Sequence, residues 1–292
     1  QAQAGPPPRT LGLAAEERLD GERLRRALPL ADGEARRYGA MKEVLRPNLG
    51  VVYGLPSPDG YDGGLLPLRS YADFKALLVT DEAPVPHYTL APQAPARPDA
   101  RLLGALNVRF LALDGRQGPP GTGWDAIEAA PGAAWLYENQ SVLPRAFVVS
   151  DVRAEPDPRR ALALLRGLDL ATSAVVERPV PGLPEGTPRD APAAQVVTFS
   201  ATEMTVDATG PGLLVLSESF YPGWRAAIDG AGAPLVRANL HFRAVPLTAG
   251  AHRVRVWYDP FSVKLGFALS ALTIAGNAAA LAVLRRRRRG AS

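Results

Sequence analysis

Between residues 195 and 258 apolar and polar positions alternate with a period of two. The alternation resolves into seven candidate strands, at 195–199, 203–208, 213–219, 224–228, 233–237, 242–247 and 252–258. Pro222-Gly223, Asp229-Gly230 and Ala249-Gly250 separate some of them and read as turns. In the last strand Val254, Val256 and Tyr258 face one way while Arg253, Arg255 and Trp257 face the other. Short antiparallel strands at this spacing predict a β-sandwich. Asp259-Pro260 ends the alternation, and residues 265–284, LGFALSALTIAGNAAALAVL, follow without a single charge. Twenty residues at about 1.5 Å each span roughly 30 Å, the thickness of a bilayer's hydrocarbon core. Five arginines, 285–289, come next and predict a cytoplasmic C-terminus with the bulk of the chain on the outer face. The competing reading is a buried core helix.

Within that helix Gly266, Ser270, Thr273 and Asn277 recur at one face. Small and hydroxyl-bearing residues in such a stripe admit a second membrane helix. A partner helix would also satisfy the Asn277 amide; chance in an alanine-rich segment is the alternative.

The N-terminal half is less periodic. Residues 1–10 form a Pro-rich lead, and 13–45 read as two helical pieces broken at Pro29 and Gly33. Residues 48–71, rich in Gly, Pro, Asp and Tyr, predict an ordered loop with several turns. A short helix is expected at 71–78, a Pro-rich connection at 88–100, and a helix end, turn and strand across 101–113. Strands at 134–137 and 146–152 flank the loop ENQSVLPR, and 158–168 is an amphipathic helix. The predicted fold class is α+β. A helical lead (1–45) precedes an α/β region (46–177) and a Pro/Gly-rich linker (178–194). A membrane-proximal sandwich (195–260), a transmembrane helix (261–284) and a basic tail (285–292) complete the chain.

Charge changes this picture little. The net charge is +4, but five of the 33 Lys and Arg form the terminal block, which leaves 28 against 29 Asp and Glu. The outer part is close to neutral, and nucleic acid is not an expected partner. With no cysteine, disulfides and thiolate metal sites are excluded. His87, His241 and His252 lack metal-ligand spacing, and neither a metal nor a cofactor is expected. The opening QAQAGPPPRT is neither an initiator Met nor a signal peptide, so an upstream export signal or further membrane helices are expected.

No catalytic constellation stands out, whether phosphate loop, HExxH or GxSxG. Binding candidates fall in three groups. Asp59 and Asp62 could form an acid/base pair or a cation site, or cap turns, in a loop whose Tyr53 and Tyr61 could stack on a sugar ring. Tyr221 and Trp224, in FYPGW, could stack on a sugar ring, or Trp224 could pack in the sandwich core. Arg145, Arg237, Asn239 and Arg243 suit a carboxylate or phosphate, or a structural ion pair with Glu138, Asp62 or Glu218. Asn139-Gln140-Ser141 matches a glycosylation sequon by coincidence.

Several blocks in order resemble the C-terminal outer portion of the YfhO family of bacterial membrane proteins. They are PNLGVVYGLPSPDGYDG (47–63), LLGALNVRFLALD (102–114), YENQSVLPRAFVV (137–149), FYPGW (220–224) and VRANLHFRAVPLTAGAHRVRVWYDP (236–260). The resemblance implies kinship with membrane glycosyltransferases that move a sugar from a polyprenyl-phosphate carrier to an envelope glycan. The upstream helices and the outer loop that would carry such an enzyme's acidic catalytic residue are not in this sequence. Two functions are therefore expected. One is an outer domain that handles an acceptor glycan or lipid-linked sugar. The other is a non-catalytic, membrane-anchored subunit of a larger complex, its partners being the bilayer and other transmembrane helices.

Overall fold

A computed structural model describes residues 6–13, 54–58, 70, 71, 74, 98–114, 118–129, 134–183 and 193–289. The expected 13–45 helices lie outside the described residues. So does most of the 48–71 loop. In the 71–78 segment Tyr71 and Phe74 are helical, as is Ser70 just before it. The chain is α+β, with two sheets and one long C-terminal helix.

The first sheet has the order β1-β2-β4-β3, from Arg9–Leu13, Val108–Asp114, Ala134–Asn139 and Trp124–Ala129. β1 corrects the reading of the N-terminal lead: RTLGL is a strand, parallel to β2. Five residues beside a proline run have too little periodicity to declare themselves, and the partner strand is about a hundred residues away. β3 likewise has no clean alternation. Helix α1 (Ala100–Ala105) feeds β2, its first turn capped by the Asp99 carboxylate, which accepts from the amides of Arg101 and Leu102 at 2.9 and 3.2 Å. Gly104 has no alternative residue, because a Cβ there would collide with the Ser141 carbonyl.

The second sheet is built on two strands of 17 residues, β9 (Glu203–Ser219) and β13 (Phe242–Tyr258). Each merges two strands that the sequence separates. Ala249-Gly250 is a bulge inside β13 rather than a turn. The N-terminal half of β9 pairs with β8 (Ala194–Phe199), and the C-terminal half of β13 pairs with β10 (Trp224–Ile228), which pairs with β11 (Ala231–Ala233). At the other end β5 (Ala146–Val149) joins β9, while β12 (Val236–Ala238) joins β13. Beyond β12 lie β7 (Ser173–Val176) and, parallel to it, β6 (Asp151–Ala154). The helix α2 (Pro158–Gly167) crosses between β6 and β7, capped by Asp157.

This two-stranded ribbon doubles back on itself. Phe199 pairs at Met204, at one end of β9, and Ala146 pairs at Leu216, near the other. Along an unbent strand these points would stand about 40 Å apart, yet the Arg145 guanidinium lies 5.3 Å from the centre of the Phe199 ring. The bend falls at Gly210 and Gly212. A Cβ on Gly210 would strike the Thr248 carbonyl, and one on Gly212 would lie 2.6 Å from Val148 Cγ1. The result is a sandwich-like pair of layers cut from one sheet.

The layer containing β5 and the second half of β9 is buried on both faces. Leu214 and Leu216 join Met204, Val206, Val254 and Val256 between the layers. Leu213 and Val215 join Phe242, Leu165 and the first sheet's Leu111 on the other side. This is why Leu213–Leu216 reads as an unbroken apolar run. Strands on both sides of the 178–194 linker belong to the same sheet, so the linker does not divide it.

The helix α3, Phe261–Arg289, starts three residues after β13 ends. Its stretch Phe261–Ala282 is long and apolar enough to cross a membrane, and none of it is buried in the fold. Phe267, Leu272 and Ile274 are 70–74% exposed among the described residues, which speaks against the core-helix reading.

Candidate functional site

The folded-over ribbon brings its two ends together beside the start of α3. FYPGW forms the turn into β10, and it clasps the junction. The Gly223 carbonyl accepts from the Asp259 amide at 2.7 Å. Gly223 has φ +101°, and a Cβ on it would lie 3.0 Å from both Pro260 and Tyr258. Asp259 in turn pairs with Arg225 at 3.2 Å and Lys264 at 2.6 Å. Trp224 is half-buried and stacks on Tyr258, ring centres 5.4 Å apart; Tyr221 is exposed.

Beneath Trp224 lies an arginine cluster. Arg243 places its guanidinium 3.5 Å from the centre of the Trp224 ring. Glu218 sits among three arginines. Its Oε1 accepts from Arg145 at 2.5 Å and from Arg9 at 3.0 Å, and its Oε2 is 3.8 Å from Arg243. The side chains of Arg145 and Arg243 are each 6% exposed.

Arg9 and Arg145 have much of their hydrogen-bonding capacity committed to the protein. Arg9 Nη1 donates to the carbonyls of Leu106 and Ser217 at 2.9 and 2.7 Å. Arg145 donates through Nε to Asn107 Oδ1 at 3.0 Å and through Nη2 to the Pro7 carbonyl at 3.2 Å. Both tie the N-terminal segment and the α1–β2 turn to the end of β9. Arg243 differs: its buried Nε has no hydrogen-bond partner among the described residues. Burial lowers the Arg9 and Arg243 pKa to about 10, against the pull of Glu218 and with the push of neighbouring arginines.

His241 stands next to this cluster, buried, with Nε2 2.9 Å from Ser219 Oγ and its ring 5.2 Å from that of Tyr71. Burial, then the charges of Arg9, Arg243 and Arg237, lower its pKa to about 4, so it is neutral at pH 7.

Of the sequence candidates, Arg145, Arg243, Trp224 and Tyr221 converge at this end. Glu218 is the partner of Arg145; Glu138 is instead bound by Arg109 at 2.8 Å. Arg237 lies directly across from Arg243 on the neighbouring strand, but its charge is paired with Glu177 at 2.8 Å and its guanidinium lies 5.5 Å from the centre of the Phe220 ring. Asn239 is structural. With φ +49° it exchanges backbone-like bonds with Val175, accepting at Oδ1 (2.9 Å) and donating its amide (2.7 Å), so it staples β12 to β7. Tyr53, Asp59, Tyr61 and Asp62 lie outside the described residues. Asn139 is buried and gives its amide protons to the Ala100 and Val108 carbonyls, which agrees with the sequon being a coincidence.

Gly266, Ser270, Thr273 and Asn277 sit exposed on α3. Asn277 donates to the Thr273 carbonyl and Thr273 to the Leu269 carbonyl, both at 2.9 Å. The helix therefore answers part of its own polar demand, and the case for a partner helix resting on Asn277 is weaker than its sequence position suggests. Sequence reasoning missed Arg9 and passed over His241 beyond its lack of ligand spacing. No local signal points to Arg9, which meets Glu218 across 209 residues.

Comparisons with protein-family models, characterised proteins and solved structures find no match for this chain.

Proposed function

We propose that this chain is the outer domain and final membrane helix of a YfhO-like membrane protein, and that it handles a lipid-linked sugar or envelope glycan at the membrane face. One observation carries the reading. Tyr221, Trp224 and the arginine cluster are gathered at the end of the fold from which α3 departs. Aromatic faces suit sugar rings, guanidinium groups suit phosphate, and a polyprenyl carrier would present both at that depth. On this reading the transferase chemistry belongs to other segments or chains.

The test uses the chain in lipid nanodiscs, titrated with a polyprenyl-phosphate hexose and with the same polyprenyl phosphate lacking the sugar. Sugar-dependent, saturable quenching of tryptophan fluorescence, lost in Tyr221→Ala, is the expected result. Identical titrations with and without sugar would refute glycan handling.

A second reading has its own support. α3 presents an apolar surface all round, uncovered by the rest of the described chain. A membrane-anchored, non-catalytic subunit would bury it against other helices, and co-purification of other membrane proteins under mild detergent would favour that role.

A further inference from the structure

We infer that Arg243, on its Trp224 platform, is the open donor of a phosphate-binding site at the junction of the sandwich and the membrane helix. Three guanidinium groups surround one carboxylate, an excess of two positive charges in a largely buried cluster among the described residues. The adjacent imidazole is neutral and contributes nothing to the balance. Like charges held this close at low dielectric repel strongly unless an anion joins them.

Hydrogen bonding then says where the anion belongs. Arg9 and Arg145 are occupied by protein carbonyls, Asn107 and Glu218 Oε1. Arg243 is 95% buried with Nε unpartnered, and Glu218 Oε2 at 3.8 Å is beyond hydrogen-bonding distance. Trp224 covers the guanidinium, its ring centre 3.5 Å from Arg243 Cζ, so a ligand reaching the unpartnered Nε must displace part of that cover.

Charge also selects the ligand class. A phosphate monoester, carrying about −1.5 to −2 near pH 7, closes the balance that a single carboxylate would leave half open. The ligand is a free phosphate or a lipid phosphomonoester, and position makes the lipid a natural source. Trp224 is stacked on Tyr258, three residues before α3, so the site lies near the depth of lipid headgroups when α3 spans a bilayer. The inference rests on the functional reading above only for a lipid source, and there it fits the sugar-free polyprenyl phosphate, a monoester, rather than the sugar-bearing carrier, a diester with a single charge.

The experiment titrates the detergent-solubilised full chain with inorganic phosphate by calorimetry, against chloride at matched ionic strength. Saturable binding specific to phosphate is expected, weakened at least tenfold in Arg243→Gln. Glu218→Gln removes the competing carboxylate and should tighten phosphate several-fold even as it lowers thermal stability. A purely structural cluster would lose stability in both variants with no change in affinity. If Arg243→Gln does not fold, Glu218→Gln decides alone, and unchanged affinity overturns the proposal. So does the absence of phosphate binding beyond chloride.

Nanodiscs with and without phosphatidic acid separate the sources. Loss of phosphate binding in the phosphatidic acid discs assigns the site to lipid, and retention assigns it to soluble phosphate; both sustain the site. Phosphate binding without sugar dependence refutes glycan handling and leaves the site standing. Sugar-dependent binding that survives Arg243→Gln does the reverse.

Discussion

At Glu218 the chain accepts an arrangement that a stability argument alone would discourage, with arginines from β1, the loop before β5 and β13 around one carboxylate. His241 next to it reports the electrostatic consequence. Its folded pKa of about 4 lies below the ordinary 6.5, so the unfolded chain takes up a proton first as pH falls. Stability from this residue is complete above about pH 6.5 and is lost between there and pH 4, by up to about 3 kcal/mol. Urea unfolding followed from pH 7.5 to 4.5 should show this slope, and His241→Gln should flatten it. An equal slope in the variant would place the titration elsewhere. Little of this was legible in advance. Arg145 and Arg243 were visible as isolated arginines near apolar runs. Arg9, in contrast, sits in a proline-rich lead, and only the fold carries it to Glu218.

Among the elements, the ribbon of β9 and β13 shows where sequence signals mislead. The alternation of Val254 and Val256 with Arg253 and Arg255 was legible, since the arginines pair outward with Asp207 and Glu203 at 2.7 and 2.8 Å. The turn at Ala249-Gly250 was not, because a glycine with φ +116° serves a bulge as well as a turn. Gly210 gives a sharp check. Gly210→Ala drives a methyl group into the Thr248 carbonyl and should cost about 1–3 kcal/mol in chemical denaturation. Gly266→Ala on α3 meets nothing within 4 Å and should leave the stability of the sheet domain unchanged. On the same helix, Gly266→Leu with Ser270→Leu should loosen co-purification of other membrane helices more than Ala268→Leu with Ala275→Leu. Equal behaviour would identify the stripe as an accident of an alanine-rich segment.

For the whole molecule, topology and the linker are both open to proteolysis. If the arginine block is cytoplasmic, protease added outside spheroplasts should digest the sheet domain and spare a C-terminal tag; loss of the tag would reverse that orientation. Cleavage of the purified chain within the Pro/Gly-rich linker should leave two fragments that co-elute until denaturant is added. They are joined by the β5–β9 and β7–β12 pairings and by the shared core of Val149, Leu213 and Phe242. Fragments that separate in native buffer would contradict that shared core. The α+β class, the β-rich C-terminal half and the membrane-length helix were legible from periodicity and hydropathy. Sharing of one sheet across the linker was not, because pairing partners far apart in sequence leave no mark on local composition.

The placement of β13 has a consequence for how the protein comes into being. This strand lies between β9 on one side and β10 and β12 on the other, so it is the spine of the large sheet. It is also the last strand of the sheet in chain order. Until residue 258 has left the ribosome, β9, β10 and β12 each lack a neighbour, and the apolar faces of Leu213, Leu214 and Val215 lack their cover. The nascent chain therefore waits with its central strand missing while the other strands of the sheet are already made. The next segment to emerge is α3, so the moment that closes the sheet is also the moment at which the chain commits its apolar helix.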